Sequence, residues 1–404
     1  MRKSDYKEAS EILLENITPV KACPVRTENA FGRILAEAVT AKENVPDFRR
    51  SPYDGYAFRA ADTEKASPES PVKLRVTERL KAGQVPRGRV DQGTAVRLMT
   101  GAMIPEGADA VCKYEDTVFT GSEVYVKRAY SPGENVISEG EDIKRGDFLS
   151  AVGDRADAGL LGAAASLGLS ELKAYRRPVA ALFSTGDEIC ETDEELKPGK
   201  IRNSNRYIIS AALEAMGIDT VYLGNARDEM KELLSLLEKG EGEHDILIST
   251  GGVSVGDYDL VPEAMEKAGY RILVRGVDMK PGMACAYGLK AGKLMLALSG
   301  NPASALTNLQ CVCAPALRRL AGMRVFRHRL MKMKPKEAYH WRGSCVRFIR
   351  GRLEYEEGQV LLSNSGEQGN IVISSAIGCN AYGMIPGEVL IPAGGLIEGF
   401  MTDI

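Results

Sequence analysis

The residues best suited to chemistry lie between Asp245 and Ala264, in the stretch DILISTGGVSVGDYDLVPEA. Ile246-Leu247-Ile248 is an apolar run of the length a buried strand needs. It breaks into Ser249-Thr250-Gly251-Gly252, small residues whose backbone can approach a ligand closely. Ser254 adds a hydroxyl, Asp257 and Asp259 add carboxylates, and a helical run follows from Leu260. Strand, glycine turn, hydroxyls, acids and helix in that order suit a phosphate ester bound at the carboxyl end of a parallel strand. The same order also makes a plain strand-to-helix connection, so further turns of this kind matter.

Two more exist. PVAALF leads into Ser184-Thr185-Gly186 and then Asp187-Glu188, and KLMLAL leads into Ser299-Gly300-Asn301-Pro302. In a parallel sheet all three turns share one edge, although over a hundred residues separate the first from the last. Their amides and hydroxyls suit an anionic, phosphate-bearing ligand, and nearby acids suit a divalent cation bridging its phosphates. Upstream, Asp54-Gly55 is a turn dipeptide set among Tyr53, Tyr56 and Phe58, and Thr100-Gly101 closes a strand. The run SPGENVISEGEDIKRGD carries Glu139, Glu141 and Asp142, which read equally as a solvated loop or as magnesium ligands.

The elements that position these residues follow from periodicity. Residues 5–17 predict an amphipathic helix with Ile12, Leu13 and Ile17 on one side. Residues 71–130 break into short strands punctuated by Gly and Pro, a small β-domain. Residues 156–174 predict a helix rich in small residues, followed by a turn. From Arg177 strands alternate with helices, which argues a mostly parallel sheet covered on both faces. Asn203 or Ser204 caps the first of these helices, and a long apolar helix carrying Pro315 closes the section near Ala321. Residues 325–404 alternate as hairpin strands, a small all-β domain.

Composition narrows the classes. The 404 residues carry a net charge of −3, which disfavours a nucleic-acid surface as the main business. No apolar run approaches a membrane span, and the N-terminus lacks the apolar core of a signal peptide, so a cytoplasmic protein is expected. Eight scattered cysteines without a C-x-x-C pair, and three histidines, argue against a zinc site and against a Ser-His-Asp hydrolase.

With these motifs assembled, the chain resembles the molybdopterin molybdenumtransferases, the family that includes the C-terminal part of gephyrin. SPYDGYA (51–57), MTGAMIPEGADAV (99–111), GENV with GEDI (133–143), FSTGDEI (183–189), NSN (203–205), STGGVSVGD (249–257), KPG (280–282) and SGNPASA (299–305) carry the resemblance, in the family's order and over essentially the whole chain. It implies an α/β plus β fold: an elongated, multidomain chain with a helical and linker region at 1–48 and 143–176. An inserted β-rich domain would cover 49–142, an α/β molybdopterin-binding domain 177–324, and a C-terminal β-barrel 325–404. The implied reaction inserts molybdenum from molybdate, or tungsten from tungstate, into adenylylated molybdopterin with release of AMP. Magnesium would be the cofactor. A homodimer is implied, with the cleft shared between subunits and transient contact with other cofactor-biosynthesis enzymes, but neither nucleic acid nor membrane as partner.

By the same resemblance Asp54, Thr100, Asp142 and Glu188 would be catalytic, and Asp187, Glu188 and Asp142 would handle the metal. Ser184, Thr185, Gly186, Ser249, Gly251, Gly252 and Ser254 would contact pterin or phosphate. Asp257 and Asp259 would sit at the rim, with Lys280, Ser299, Gly300, Asn301 and Pro302 facing the anion. Two positions depart from the family: Met283 stands where a second lysine is common after Lys-Pro-Gly, and Ser299 where proline is common before Gly-Asn-Pro. Met283 removes a cation from the anion pocket. Ser299 makes its turn less rigid. Adenylylation of molybdopterin, and a non-catalytic pterin-binding scaffold, are the alternative readings.

Overall fold

The computed structural model describes residues 3–253 and 260–402. The chain packs as two compact units. One comprises Met1–Glu37, Val152–Asp157 and Glu171–Ile404; the other comprises Ala38–Ala151 and Ala158–Ser170.

The first unit is built on a six-stranded sheet. Its strands are β1 (Val179–Thr185), β2 (Asp219–Ala226), β3 (Ile246–Thr250), β4 (Arg271–Arg275), β5 (Cys285–Lys290) and β6 (Lys293–Leu298), in the order β2-β1-β3-β6-β5-β4. The run β2-β1-β3-β6 is parallel, whereas β5 is antiparallel to both neighbours. The antiparallel edge arises because β5 and β6 are joined by a tight turn at Ala291 and Gly292, both at positive φ, which leaves no room for a crossover helix.

Helices α1 (Ser204–Ala215), α2 (Met230–Gly240), α3 (Val261–Lys267) and α4 (Pro302–Asn308) cover the sheet. Side chains alternate along β1. Ala180 and Leu182 join Ile209 and Leu213 of α1 in one core, while Ala181 and Phe183 join Leu233 and Leu237 of α2 in another. Each large side chain so buried contributes about 1.5–3 kcal/mol, which fixes the register and hence where the strand ends fall. The long apolar helix continues past α4 through a π-turn, Leu309–Cys313, into Ala314–Leu320. The bulge lies just before Pro315, which cannot donate to the ladder.

The amphipathic N-terminal helix forms over Tyr6–Glu15, capped by Asp5, and buries Leu13 and Leu14 against the first core. A second sheet lies in the same unit. Strands Val346–Glu356, Gln359–Asn364, Met331–Pro335, Ile397–Met401 and Ala381–Ile385 pair in that order, and the last pairs back on the first, closing a barrel-like sheet around Ile349, Leu362 and Ile385. Strands Val277–Lys280 and Ser4–Asp5 extend it. Residues 156–174, expected to be helix then turn, divide differently. The helix covers Ala158–Ser166, Gly168 at φ +68 ends it, and Glu171–Tyr175 is a strand paired with Ala22–Arg26. The alternation of buried Leu172 and Ala174 with exposed neighbours is the strand signal there.

The second unit carries another six-stranded sheet, in the order Ala110–Lys113, Gly55–Phe58, Thr94–Leu98, Val72–Leu80, Glu123–Val126, Thr117–Phe119. Both faces are covered: Tyr56 and Phe58 pack on one side, Ala57 and Leu98 on the other. Gly55 sits where a Cβ would collide with the carbonyl of Cys112 on the adjacent strand. No helix among the described residues is long and apolar enough to cross a membrane.

Candidate functional site

The parallel strands β1, β3 and β6 end on one edge, and the three turns that follow them line a single cavity of about 740 Å3. Ser184, Thr185, Gly186, Gly251, Gly252, Ser299, Gly300, Asn301 and Pro302 all line it, as the sequence predicts. The turns are tightly fitted. A Cβ built on Gly251, at φ +99, would collide with the Thr185 carbonyl oxygen, whereas one built on Gly300 would lie in ordinary contact, 3.5 Å from the Gly251 Cα. A side chain at Gly252 would meet Val261 at 2.8 Å. At Gly251 and Gly252 glycine is therefore required sterically as well as for φ.

The N-terminus of α1 also opens on the cavity, with Asn203, Ser204 and Asn205 in its wall. Asn203 caps the helix by accepting from the Arg206 N–H at 3.2 Å. Asn205 donates to the Gly300 carbonyl at 2.8 Å and so ties the helix to the third turn. Unpaired N–H groups and a favourable dipole at this end suit an anion. The Ser299 hydroxyl accepts from the Asn301 N–H at 3.2 Å, which braces the turn in the absence of proline.

Among the described residues two carboxylates line the cavity, Glu188 and Asp228. Asp228, which the motif reading did not select, accepts from the Thr185 hydroxyl at 3.2 Å. Its signal was present: an acid between β2 and α2 lies on the same sheet edge as the glycine turns. Magnesium takes one or two carboxylates together with substrate phosphates and keeps several waters, a donor set that Glu188 and Asp228 fit. Among the described residues no three of His, Cys, Asp and Glu converge as a protein-only metal cluster. Asp187 is exposed and does not line the cavity; its carbonyl accepts from the Lys200 ammonium.

Three more expectations are placed elsewhere. Ser249 lies inside β3, fully buried and outside the cavity lining, because successive side chains of a strand face opposite ways and Thr250 takes the cavity side. Lys280 belongs to a strand paired with residues 346–347 of the second sheet, so it too is outside the lining. Met283 stands beside the Lys3 ammonium, 2.8 Å from its sulfur. Ser254, Asp257 and Asp259 lie outside the described residues.

In the second unit Asp54 and Thr100 meet. The Asp54 carboxylate accepts from the Thr100 N–H at 2.7 Å and from its hydroxyl at 2.8 Å. These bonds, the backbone one foremost, hold the Asp54 carboxyl below its usual range, with a smaller contribution from Arg97. Asp142 is exposed, and its N–H donates to the Val45 carbonyl at 3.0 Å.

A parallel sheet whose strand ends, glycine turns and helix N-terminus enclose a polar cavity defines a binder of anionic, phosphate-bearing small molecules. Comparison with known proteins narrows the class. Residues 4–168 match the MoeA N-terminal region (domain I and II), and residues 181–319 match the family described as "Probable molybdopterin binding domain". The molybdopterin molybdenumtransferase of Staphylococcus epidermidis is 32% identical over 398 residues, covering 98% of this chain and 95% of that one. Its namesake from Staphylococcus aureus is 31% identical, covering 94% and 91%. The crystal structure of the molybdopterin biosynthesis MoeA protein from Pyrococcus horikosii superposes with a TM-score of 0.86 at 29% identity, covering all of both chains. The chain belongs to the molybdopterin molybdenumtransferase family, enzymes of molybdenum cofactor biosynthesis.

Proposed function

We propose that the protein binds adenylylated molybdopterin in this cavity and inserts molybdenum from molybdate into it, releasing AMP. The observation that carries the reading is the convergence of three strand-end turns and the α1 N-terminus on one cavity, within the segment matched to the molybdopterin-binding family. The amides of Gly251 and Gly252 and the hydroxyls of Ser184 and Thr185 would hold the phosphates and pterin, with α1 offering its N–H groups to the same charge. Glu188 and Asp228 would hold magnesium, which neutralises phosphate charge when bound. The Thr185 hydroxyl keeps Asp228 oriented. Release of AMP breaks the phosphoanhydride and consumes a water; the two dithiolene thiols form Mo–S bonds as one Mo–O bond of molybdate breaks, and their protons leave with that oxygen as water. Asp54, fixed as a carboxylate by Thr100, and Asp142 belong to the second set of polar residues proposed for this reaction. We take the enzyme to act as a homodimer in the cytoplasm, with tungstate as an alternative oxyanion.

Product analysis tests this. Protein incubated with adenylylated molybdopterin, magnesium and molybdate should yield a metal-bearing, AMP-free pterin by mass spectrometry. Recovery of only unchanged substrate would overturn it.

A further inference from the structure

We propose that Glu191 is a positioning residue for this cavity: its carboxylate locks the Asn203 amide and tethers the cavity-wall segment 187–202, so that the ligand meets a preformed polar wall. The inference rests on the assignment of the cavity as the molybdopterin site.

The segment needs a tether. From 191 to 202 every residue except Glu191 is exposed. Regular structure in it is limited to a two-residue parallel bridge, Ile189–Cys190 with Ile201–Arg202. Yet it carries Glu188, Ile189, Ile201 and Arg202 into the cavity wall. Exposed backbone of this kind opens readily unless side chains hold it.

Glu191 supplies that hold with both oxygens. Oε1 accepts from the Asn203 amide at 2.9 Å and from the Tyr222 hydroxyl at 3.1 Å, and Oε2 accepts from the Arg206 guanidinium at 2.7 Å. The Arg206 guanidinium in turn lies over the Tyr222 ring, 4.3 Å from its centroid. Burial opposes ionisation of Glu191, but the bonds from Asn203, Arg206 and Tyr222 outweigh it and hold the carboxyl below its usual range. It is therefore a carboxylate at neutral pH, and an acceptor on both oxygens.

The consequence runs through Asn203. Its Nδ2 also reaches the Ser184 hydroxyl at 3.1 Å and the Tyr222 hydroxyl at 2.8 Å, while its Oδ1 caps α1 and lies 3.3 Å from the same Ser184 hydroxyl. An amide can face either way. Only the orientation with nitrogen towards Glu191 leaves the oxygen free to cap the helix. Glu191 thus selects the amide orientation, and through it the placement of Ser184 and of the helix end, both of which line the cavity. Glu191 does not itself line the cavity, so its effect is on binding rather than on the chemical step.

The test compares the full-length wild type with Glu191→Ala and Glu191→Gln. Glutamine can keep an acceptor towards Asn203 and Tyr222; alanine keeps none. We expect Glu191→Ala to weaken the Kd for adenylylated molybdopterin about tenfold, roughly the scale of one lost hydrogen bond to a charged group. AMP release at saturating substrate should stay within about threefold, and Glu191→Gln should recover most of the affinity. Limited trypsin digestion gives a readout without substrate: cleavage after Lys200 and Arg202 should accelerate in Glu191→Ala. Adding the substrate should protect both sites in the wild type. Unchanged affinity and cleavage in Glu191→Ala, with a wild type that binds, would overturn the positioning role. Equal loss in both variants would assign Glu191 to bulk stability and overturn it as well. A wild type that does not bind the substrate refutes the cavity assignment instead.

Discussion

Gly251→Ala isolates the physical basis of the cavity. Two costs add at this position. An L-residue at φ +99 pays about 1–2 kcal/mol for backbone strain. Its Cβ would also be driven into the Thr185 carbonyl, and overpacking of that kind costs about 1–3 kcal/mol more. Together they predict a loss of about 2–5 kcal/mol. Gly199→Ala is the matched control: φ is +82, but nothing lies within 4 Å of the added methyl, so only the strain cost applies. The restriction of the unfolded chain is common to both variants and cancels. Because a chain of several domains need not unfold in one step, the assay should be local. Hydrogen exchange of peptides covering β1 and β3, read by mass spectrometry, reports the opening free energy of the affected strands. The predicted excess of Gly251→Ala over Gly199→Ala is about 1–3 kcal/mol. Equal protection in the two variants would refute the close approach of the first and second turns on which the cavity depends.

Other consequences follow from single contacts. Asp245 accepts from Arg176 at 2.7 Å and from the Val179 N–H at 2.8 Å, pinning the start of β1 to the start of β3. Burial opposes its ionisation, but these bonds prevail and hold its carboxyl low. Asp245→Asn should lower the opening free energy of β1 and β3, read by hydrogen exchange at pH 7, by about 1–2 kcal/mol, after allowance for the exposure of Arg176. Since the folded pKa lies below the unfolded one, the difference from wild type should persist above the unfolded value of about 4 and disappear as pH falls through the folded value. Thr100→Val removes one of the two donors to Asp54, so carboxyl NMR titration should show the Asp54 pKa rising towards the ordinary range. Ser299→Ala frees the Asn301 N–H, a bond of about 0.5–1.5 kcal/mol, and should weaken substrate affinity severalfold in a binding titration.

Much of this was legible because the signals are local. Buried strands of five to seven residues, each closed by small residues, place three turns on one edge without knowledge of any long-range contact. The Asn203 cap reads the same way. What escaped depends on partners distant in sequence. Lys280 looked like a cavity cation, but its strand pairs with residues 346–347, an arrangement no local pattern encodes. Ser249 was expected to contact the ligand, yet strand alternation gives the cavity side to Thr250. Asp228 lacked the glycine turn that marked its neighbours, and Glu191 sits in an exposed stretch where its buried carboxylate contacts are invisible. The closure of the second sheet rests on pairing of residues 347–351 with 381–385, again beyond local reading.

The central claim is that this cavity supports molybdate-dependent release of AMP. The most direct measurement is a single-turnover assay with purified protein, adenylylated molybdopterin and magnesium, with and without molybdate, for the wild type and for Asp228→Asn. The account predicts rapid AMP release from the wild type that requires molybdate, and a release rate reduced by at least about tenfold in Asp228→Asn, the effect of about 1.4 kcal/mol on the barrier. Tight binding of the substrate with no AMP release, or release at the same rate with molybdate omitted, would contradict it.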